Sequence, residues 1–266
     1  MRLVLEKRAE HSAKMALLSP IIAIALTLIT GGIIFALRGL DPLAALYVYF
    51  VEPLATSWSI EQLIVKATPL ALIGAGLAIS YRASAWNIGA EGQFTAGAIL
   101  GAVIPVFLPD LQSPLTLLLM LLLGIAGGMA YASIPAFLKN RFGTNEILTS
   151  LMLVYVVQLL LDWLVRGPWR DPQGYNFPKT VAFSGWQTLP SFQLLPPSVG
   201  PVYVNLGAVF AVLAVLALAV LMGRTLKGFE LSVQGLAPRA GRFSGFARNR
   251  TVWFCFLLSG GLAGLA

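Results

Sequence analysis

Seven long apolar segments, separated by short polar or basic stretches, most strongly constrain how this chain folds. They fall at roughly 15–37, 61–80, 88–108, 114–138, 147–165, 201–223 and 251–266. An α-helix needs about 20 mostly apolar residues to cross a bilayer. Only 11% of the 266 residues are charged, whereas an ordinary soluble domain has about 25%. The pattern predicts an all-α, polytopic transmembrane helix bundle that forms a single domain over 1–266.

Three segments depart from this pattern. Residues 42–58 are too short to span, and their aromatic side chains favour an outer-interface or re-entrant segment. Residues 167–200 are rich in proline, glycine and aromatic side chains, which indicates an ordered external loop. The last segment, 251–266, supplies only 16 residues. We expect a C-terminally incomplete sequence there, with a partner helix that covers the short segment as the alternative.

The basic residues are distributed asymmetrically along the chain. If the N-terminus is inside, 13 of the 18 Lys and Arg residues lie in cytoplasmic segments, mainly in the tail 1–14 and the loop 224–250. Since basic residues are retained on the inner side of membranes, we predict a cytoplasmic N-terminus. The formal net charge of +7 is then explained without a nucleic-acid partner.

The composition also removes several kinds of chemistry. His11 and Cys255 are the only histidine and the only cysteine. An internal disulfide, a cysteine-based or histidine-ligated metal site and a histidine-activated nucleophile are therefore excluded. The nucleotide-binding pattern Gly-x-x-x-x-Gly-Lys-Ser/Thr does not occur, so the chain hydrolyses no nucleotide by that route. We predict a membrane protein without catalytic residues, metal or cofactor.

A polar motif lies between two of the apolar segments. Residues 84–94 contain Asn87, Glu91 and Gln93 together with two interspersed glycines. Polar and charged groups inside a bilayer are costly unless they are paired or line a cavity. We predict a broken helix at which these three side chains line or gate a translocation path. The alternative is an interface loop followed by the capped start of the next helix.

Two further groups of polar residues are candidates for the same path. Asn145 and Glu146 begin the fifth span, where Thr144 is predicted to cap the helix and Glu146 to lie near its positive end. Gln158 and Asp162 are four residues apart and share one helix face. For the first group a purely structural role is the alternative, and for the second it is anchoring at the membrane interface.

The basic loop 224–250 contains apolar residues that a solvated loop does not require. Basic side chains alternate there with small and apolar ones, and Phe243 and Phe246 would be exposed to water if the loop were solvated. A solvated positive loop is one interpretation. The other is a short helix between Pro238 and Gly245 that docks into another protein.

Five segments carry a resemblance to a known family. They are Asn87–Gln93, Asn145–Leu153, Gly167–Pro172 with Phe177-Pro178, Gly235–Gly245, and Leu258–Gly264. In this order, they resemble permease subunits of ATP-binding-cassette importers for nucleosides and simple sugars, of the branched-chain amino acid/ribose type. The most similar subgroup works with lipoprotein nucleoside-binding proteins. The resemblance covers nearly the whole chain from about residue 60.

The resemblance implies a multi-pass protein of the bacterial inner membrane that works by alternating access in contact with membrane lipid. Its implied partners are a second permease, identical or homologous, cytoplasmic ABC ATPases, and an extracytoplasmic substrate-binding lipoprotein. The family also continues past Ala266 through further helices.

The resemblance further implies a cytoplasmic coupling helix at about 234–246 that receives the movement of the ATPases. Its candidate residues are Gln234, Gly235, Pro238, Arg239, Ala240, Phe243, Gly245 and Phe246. Three positions depart from the family pattern, with Gln234 and Phe246 replacing small or branched aliphatic residues and Gly241 replacing alanine. Glycine costs about 1 kcal/mol relative to alanine inside a helix. A looser coupling helix, or an ATPase pocket adapted to Phe246, is therefore expected.

Two other classes of protein remain as alternatives. An ion-coupled secondary transporter also builds sites from broken helices, but it favours inverted repeats, which the sequence does not show convincingly. It would also leave the loop around Gly235–Gly245 without a purpose. A non-transporting scaffold or receptor subunit would not need Asn87, Glu91 and Gln93 in its spans.

Overall fold

The computed structural model describes residues 13–175, 177–194 and 202–266. It divides into two compact units, one that reaches to Leu63 and one that comprises Ile64–Ala266. The predicted tail 1–14 lies mostly outside the described residues, and so does the part of the predicted external loop that contains Pro196 and Pro197.

Six described helices are long and apolar enough to cross a membrane. They are Lys14–Leu37, Ser57–Arg82, Ala90–Phe107, Pro114–Phe142, Glu146–Arg166 and Leu206–Arg224. They confirm the prediction of a mostly helical, multi-pass chain. The seventh predicted segment also forms a helix, Arg248–Leu265, but its polar first turn keeps its mean hydropathy below that of the other six.

The first unit contains three helices: α1 (Ala13–Leu37), α2 (Pro42–Phe50) and α3 (Glu52–Ala55). The Asp41 carboxylate caps α2 by accepting a hydrogen bond from the Leu43 N–H at 3.0 Å, which is a favourable start for a helix. The segment 42–58 is therefore two short helices and the first residues of α4. A re-entrant course for it stays a prediction.

The second unit contains the rest of the fold. Its helices are α4 (Ser57–Arg82, of which the unit takes the part from Ile64), α5 (Ala90–Phe107), α6 (Pro114–Phe142), α7 (Glu146–Arg166), α8 (Leu206–Arg224), α9 (Leu226–Leu236), α10 (Pro238–Phe243) and α11 (Arg248–Leu265). Several helix ends that carry basic residues come together by direct contact, as where Asn140 of α6 donates to the Asn249 carbonyl of α11. We call this the basic end: Arg82, Lys139, Arg141, Arg224 and the segment 226–250.

Glycines allow α5, α6 and α11 to pack with their backbones in contact. A Cβ added to Gly97 would lie 2.5 Å from the Cα of Gly264 and 2.9 Å from the carbonyl oxygen of Gly124. A Cβ added to Gly260 would lie 2.7 Å from the carbonyl oxygen of Gly128. One junction thus brings together Gly97, Gly124, Gly128, Gly260 and Gly264. Such close approach of backbones favours helix association in lipid.

The segment between α7 and α8 is structured where it is described. It includes a short antiparallel ladder of β1 (Ser191–Gln193) and β2 (Tyr203–Asn205). Trp169 is buried and packs edge-on against Phe107, with 6.3 Å between ring centroids. This contact holds the start of the segment against the end of α5.

The glycine junction yields a stability prediction with a matched control. Gly97→Ala inserts a methyl group into the backbone contact of α5 with α11, and overpacking of this kind costs about 1–3 kcal/mol. Gly74→Ala adds the same group to α4, where nothing lies within 4 Å. We expect Gly97→Ala to lower the thermal unfolding midpoint in detergent. Gly74→Ala should not lower it. Equal midpoints for the two variants would contradict the packing.

Candidate functional site

A reciprocal pair of amides lies at the centre of the polar motif. Asn87 and Gln93 are 0% and 1% exposed. The Asn87 Nδ2 donates to Gln93 Oε1 at 2.8 Å, and the Gln93 Nε2 donates back to Asn87 Oδ1 at 2.9 Å. Burial of an amide is costly unless it is hydrogen-bonded, and the pairing offsets that cost.

Asn87 also joins the motif to α11. Its Nδ2 donates to Ser259 Oγ at 2.9 Å, and its Oδ1 accepts from the Gly89 N–H at 3.1 Å. The Ser259 hydroxyl in turn donates to the Cys255 carbonyl at 2.8 Å. The Asn87 side chain is therefore fully occupied by its own chain. Direct contact of Asn87 or Gln93 with a transported molecule stays a prediction.

The chain is not helical between α4 and α5, from residue 83 to residue 89. Ser84 has a positive φ of 53°, a conformation that is uncommon for residues other than glycine. Gly89 lies against α7, where an added Cβ would be 2.8 Å from the Ser150 carbonyl oxygen. The Ile88 N–H donates to the Ser150 Oγ at 3.2 Å. The break is thus held by contacts to α7 as well as to α11.

Glu91 and Gln158 form a second polar pair, and both are exposed. The Gln158 Nε2 donates to Glu91 Oε1 at 2.7 Å and joins α7 to α5. Further along α7, the Arg166 Nε donates to Asp162 Oδ1 at 2.7 Å. We call Glu91, Gln158, Asp162 and Arg166 the polar stripe. The structure confirms that Gln158 and Asp162 share a face. Arg166 was not among the predicted residues of this group, although a residue four positions after Asp162 is expected to contact it on a helix.

Asn145 and Glu146 lie at the turn between α6 and α7. The Asn145 side chain accepts from the Ile147 N–H at 3.0 Å and caps α7. The prediction that Thr144 is the cap was wrong, because α7 begins one residue later; the buried Thr144 Oγ1 has no partner among the described residues. Glu146 is buried and pairs with the Lys139 Nζ at 2.6 Å. Gln158 lies twelve residues further along α7, about 18 Å away, so the fold separates these two groups.

The loop 224–250 folds into two helices, of which the second is the predicted short one. α10 covers Pro238–Phe243 and is followed by Gly245, whose φ is +82°. Phe243 is 97% exposed. Phe246 is half-buried, and its ring centroid lies 6.3 Å from that of Phe229. Phe246 therefore has a partner on α9, whereas Phe243 is left exposed.

Gln234 and Gly235 lie on α9, not on α10, and they face the bundle. Gln234 is buried and its Nε2 donates to the Thr251 Oγ1 of α11 at 2.7 Å. The Thr251 hydroxyl donates to Glu230 Oε1 at 3.1 Å. A Cβ on Gly235 would collide with the carbonyl oxygen of Arg82. α9 is therefore seated against the end of α4 and the start of α11.

Most of the other predicted coupling residues are on the outer surface of this hairpin. Pro238, Arg239 and Ala240 are exposed, whereas Gly241 is buried. A Cβ on Gly241 would lie 3.4 Å from Gln234 Cγ, which is an ordinary contact. Lack of space therefore does not explain the glycine at that position.

A continuous chain of contacts leads from α10 to the polar stripe. α10 is joined to α9, and Gln234 of α9 is bonded to α11. α11 holds Asn87 through Ser259, Asn87 holds Gln93 of α5, and α5 carries Glu91 two residues before Gln93. Side-chain hydrogen bonds and helices therefore connect α10 with the polar stripe.

The sequence matches a family model described as "Branched-chain amino acid transport system / permease component" over residues 59–266. No solved structure matches the chain significantly.

Several ABC transporter permease proteins are similar over nearly the whole chain. The Glucose ABC transporter permease protein TsgB13 of Haloferax volcanii is 36% identical, over 99% of this chain and 70% of its own length. The Nucleoside ABC transporter permease protein NupB of Lactococcus lactis is 27% identical, over 93% and 68%. The Guanosine ABC transporter permease protein NupP of Bacillus subtilis is 27% identical, over 98% and 72%.

Proposed function

The chain belongs to the branched-chain amino acid transport system / permease component family, and we propose that it forms the membrane pathway for sugars or nucleosides in an ABC importer. It is a transport protein rather than an enzyme. The observation that carries the proposal is the exposed pair of Glu91 and Gln158 inside two membrane-spanning helices.

The polar stripe has the chemistry of a path for sugars. A charged side chain on the exposed face of a spanning helix is costly against lipid, so it belongs beside water or protein. Gln158, Asp162 and Arg166 extend the stripe over about 12 Å of α7. Carboxylate oxygens accept hydrogen bonds from hydroxyl pairs, and an amide both donates and accepts. The molecules named for the three relatives, glucose, nucleoside and guanosine, share a cyclic sugar with neighbouring hydroxyls.

A second permease completes the path in our proposal. The polar stripe is exposed on this chain, so we propose that another protein surface shields it from lipid. An identical or homologous permease, placed with its own polar stripe opposite, would enclose a polar channel between the two subunits. Homologous pairing and identical pairing both satisfy this requirement.

We assign the basic end to the cytoplasm of the cell that carries the protein. The exposed side chains of Arg82, Arg141, Arg224 and Arg239 support this orientation, since basic residues are retained inside. The N-terminus is then cytoplasmic, and the chain spans the plasma membrane. The helices α2 and α3 then follow α1 at the outer surface, where their aromatic residues suit an interfacial or re-entrant position. The described residues between 167 and 194 then face outward, where we propose that the substrate-binding lipoprotein docks.

The ATPase binds at α10 in this proposal. Pro238, Arg239, Ala240 and Phe243 form the exposed surface, and Phe243 supplies an aromatic anchor of the kind that dominates protein interfaces. Gln234, Gly235 and Phe246 hold α10 onto the bundle, and Gly245 ends it. ATP binding moves α10, and the contacts described above carry that movement towards Glu91.

The remaining predicted pathway residues support the path in different ways. We propose that Asn87 and Gln93 position α5 and gate the path through its movement. The exposed Asn145 stands at the cytoplasmic mouth of the path. Glu146, neutralised by Lys139, fixes the turn at that mouth.

Co-purification tests the ATPase assignment. Phe243→Asp replaces an exposed anchor, so we expect a folded permease that loses its ATPase from the purified complex. Phe177→Asp replaces another exposed phenylalanine, outside the basic end, and should keep the ATPase. Retention of the ATPase in both variants, or its absence from the unaltered complex, would show that α10 is not the coupling element.

Uptake into proteoliposomes tests the path itself. Glu91→Gln keeps the side-chain shape but removes a charge-assisted hydrogen bond, which is worth about 1.5–3 kcal/mol. We expect uptake of the transported sugar or nucleoside to fall by roughly tenfold or more. Glu52→Gln, which changes an exposed carboxylate on α3, should leave uptake unchanged. If uptake and substrate-stimulated ATP hydrolysis are the same in Glu91→Gln and the unaltered complex, the polar stripe does not line the path.

A further inference from the structure

An open apolar cleft runs between α4 and α8 and is closed at the basic end by α9. Its volume is about 530 Å³, within the range of small-molecule sites in proteins. The walls come from small and aliphatic side chains, among them Ala75, Ile79, Leu218 and Ala219. The polar members of its lining are Arg82 of α4 and Ser232 of α9.

Arg82 supplies the cleft with a positive charge. The guanidinium Nε donates to Ser232 Oγ at 3.5 Å, and no carboxylate of the described residues forms an ion pair with it. Gly223 also lines the cleft. The next residue, Arg224, is exposed. The cleft therefore ends in a positive charge that no carboxylate of the described residues neutralises.

We propose that this cleft binds an anionic phospholipid, with an acyl chain along α4 and α8 and the phosphate at Arg82. The apolar walls exclude a polar solute, and a neutral helix of another protein would leave the guanidinium unpaired and partly desolvated. Anionic lipids are enriched in the cytoplasmic leaflet and are attracted by juxtamembrane basic residues. The Ser232 hydroxyl is a further donor for the phosphate oxygens.

One opposing effect is the orientation of the two helices. α4 and α8 both end where α9 closes the cleft, and the negative ends of their dipoles disfavour a phosphate there. The positive charges of Arg82 and Arg224 lie at these same helix ends and offset that repulsion. Arg82 is therefore the residue on which the charge preference depends.

The position of the site gives the lipid access to the coupling segment. Ser232 and Gly235 are on α9, and Gly235 packs against the Arg82 carbonyl. A lipid that occupies the cleft thus touches the helix that holds α10 to the bundle.

Native mass spectrometry of the delipidated permease complex tests the proposal. The complex is titrated with phosphatidylglycerol or phosphatidylcholine of the same acyl composition. We expect one phosphatidylglycerol to bind preferentially. Arg82→Gln should weaken it by roughly fivefold and remove the preference, and Arg82→Lys should retain it. Ala219→Phe, which fills the cleft without a change of charge, should weaken both lipids.

Arg141→Gln is the matched control, because Arg141 is exposed at the basic end on α6 and does not line the cleft. Equal losses for Arg82→Gln and Arg141→Gln would overturn the proposal in favour of a diffuse attraction to the basic end. Equal affinity for both lipids would show that the cleft does not recognise the headgroup, and it would overturn the proposal. An unaltered complex that binds neither lipid would show that a protein segment covers the cleft.

Discussion

The hydrogen bonds around the Asn87 side chain hold together the parts of the molecule on which its function depends. Asn87 lies in the non-helical stretch between α4 and α5, and it is bonded at once to Gln93 at the start of α5 and to Ser259 on α11. In a membrane protein such bonds have no water to replace them, so an unpaired amide would cost several kcal/mol. The break in the chain is stable because the Asn87 side chain is fully paired, and the position of Glu91 on α5 follows from it.

Close packing at glycines makes this polar centre rigid. α11 lies against both α5 and α6 at Gly97, Gly124 and Gly264, so α11 cannot shift without displacing its neighbours. α9 is bonded to the first turn of α11 through Gln234 and Thr251. The same helix therefore receives the contact from α9 and α10 at one end and holds Asn87 further along. In this account the buried polar residues link the helices, and the exposed ones, Glu91 and Gln158, lie on the surface proposed to meet the transported molecule.

The sequence was sufficient for features that depend on local composition. Apolar length placed the spans, and the proline and glycine at 238 and 245 predicted α10. It was insufficient where a residue is defined by a distant partner. Asn87 and Ser259 are 172 positions apart, so the sequence identified the polar motif but not its burial. The partner of Phe246, Phe229, lies on α9, a helix that was not predicted. The one-residue error at Thr144 arose because both Thr and Asn are good N-caps.

The most direct test of this account is the number of molecules transported per ATP hydrolysed when the bond between α11 and Asn87 is removed. Ser259→Ala deletes the acceptor of Asn87, whereas Ser80→Ala deletes a buried serine that also bonds the Cys255 carbonyl and does not contact Asn87. We predict that the ratio falls by roughly fivefold in Ser259→Ala, as expected for a lost hydrogen bond of about 1 kcal/mol, and stays near that of the unaltered complex in Ser80→Ala. An unchanged ratio in Ser259→Ala, or an equal fall in both variants, would contradict the account.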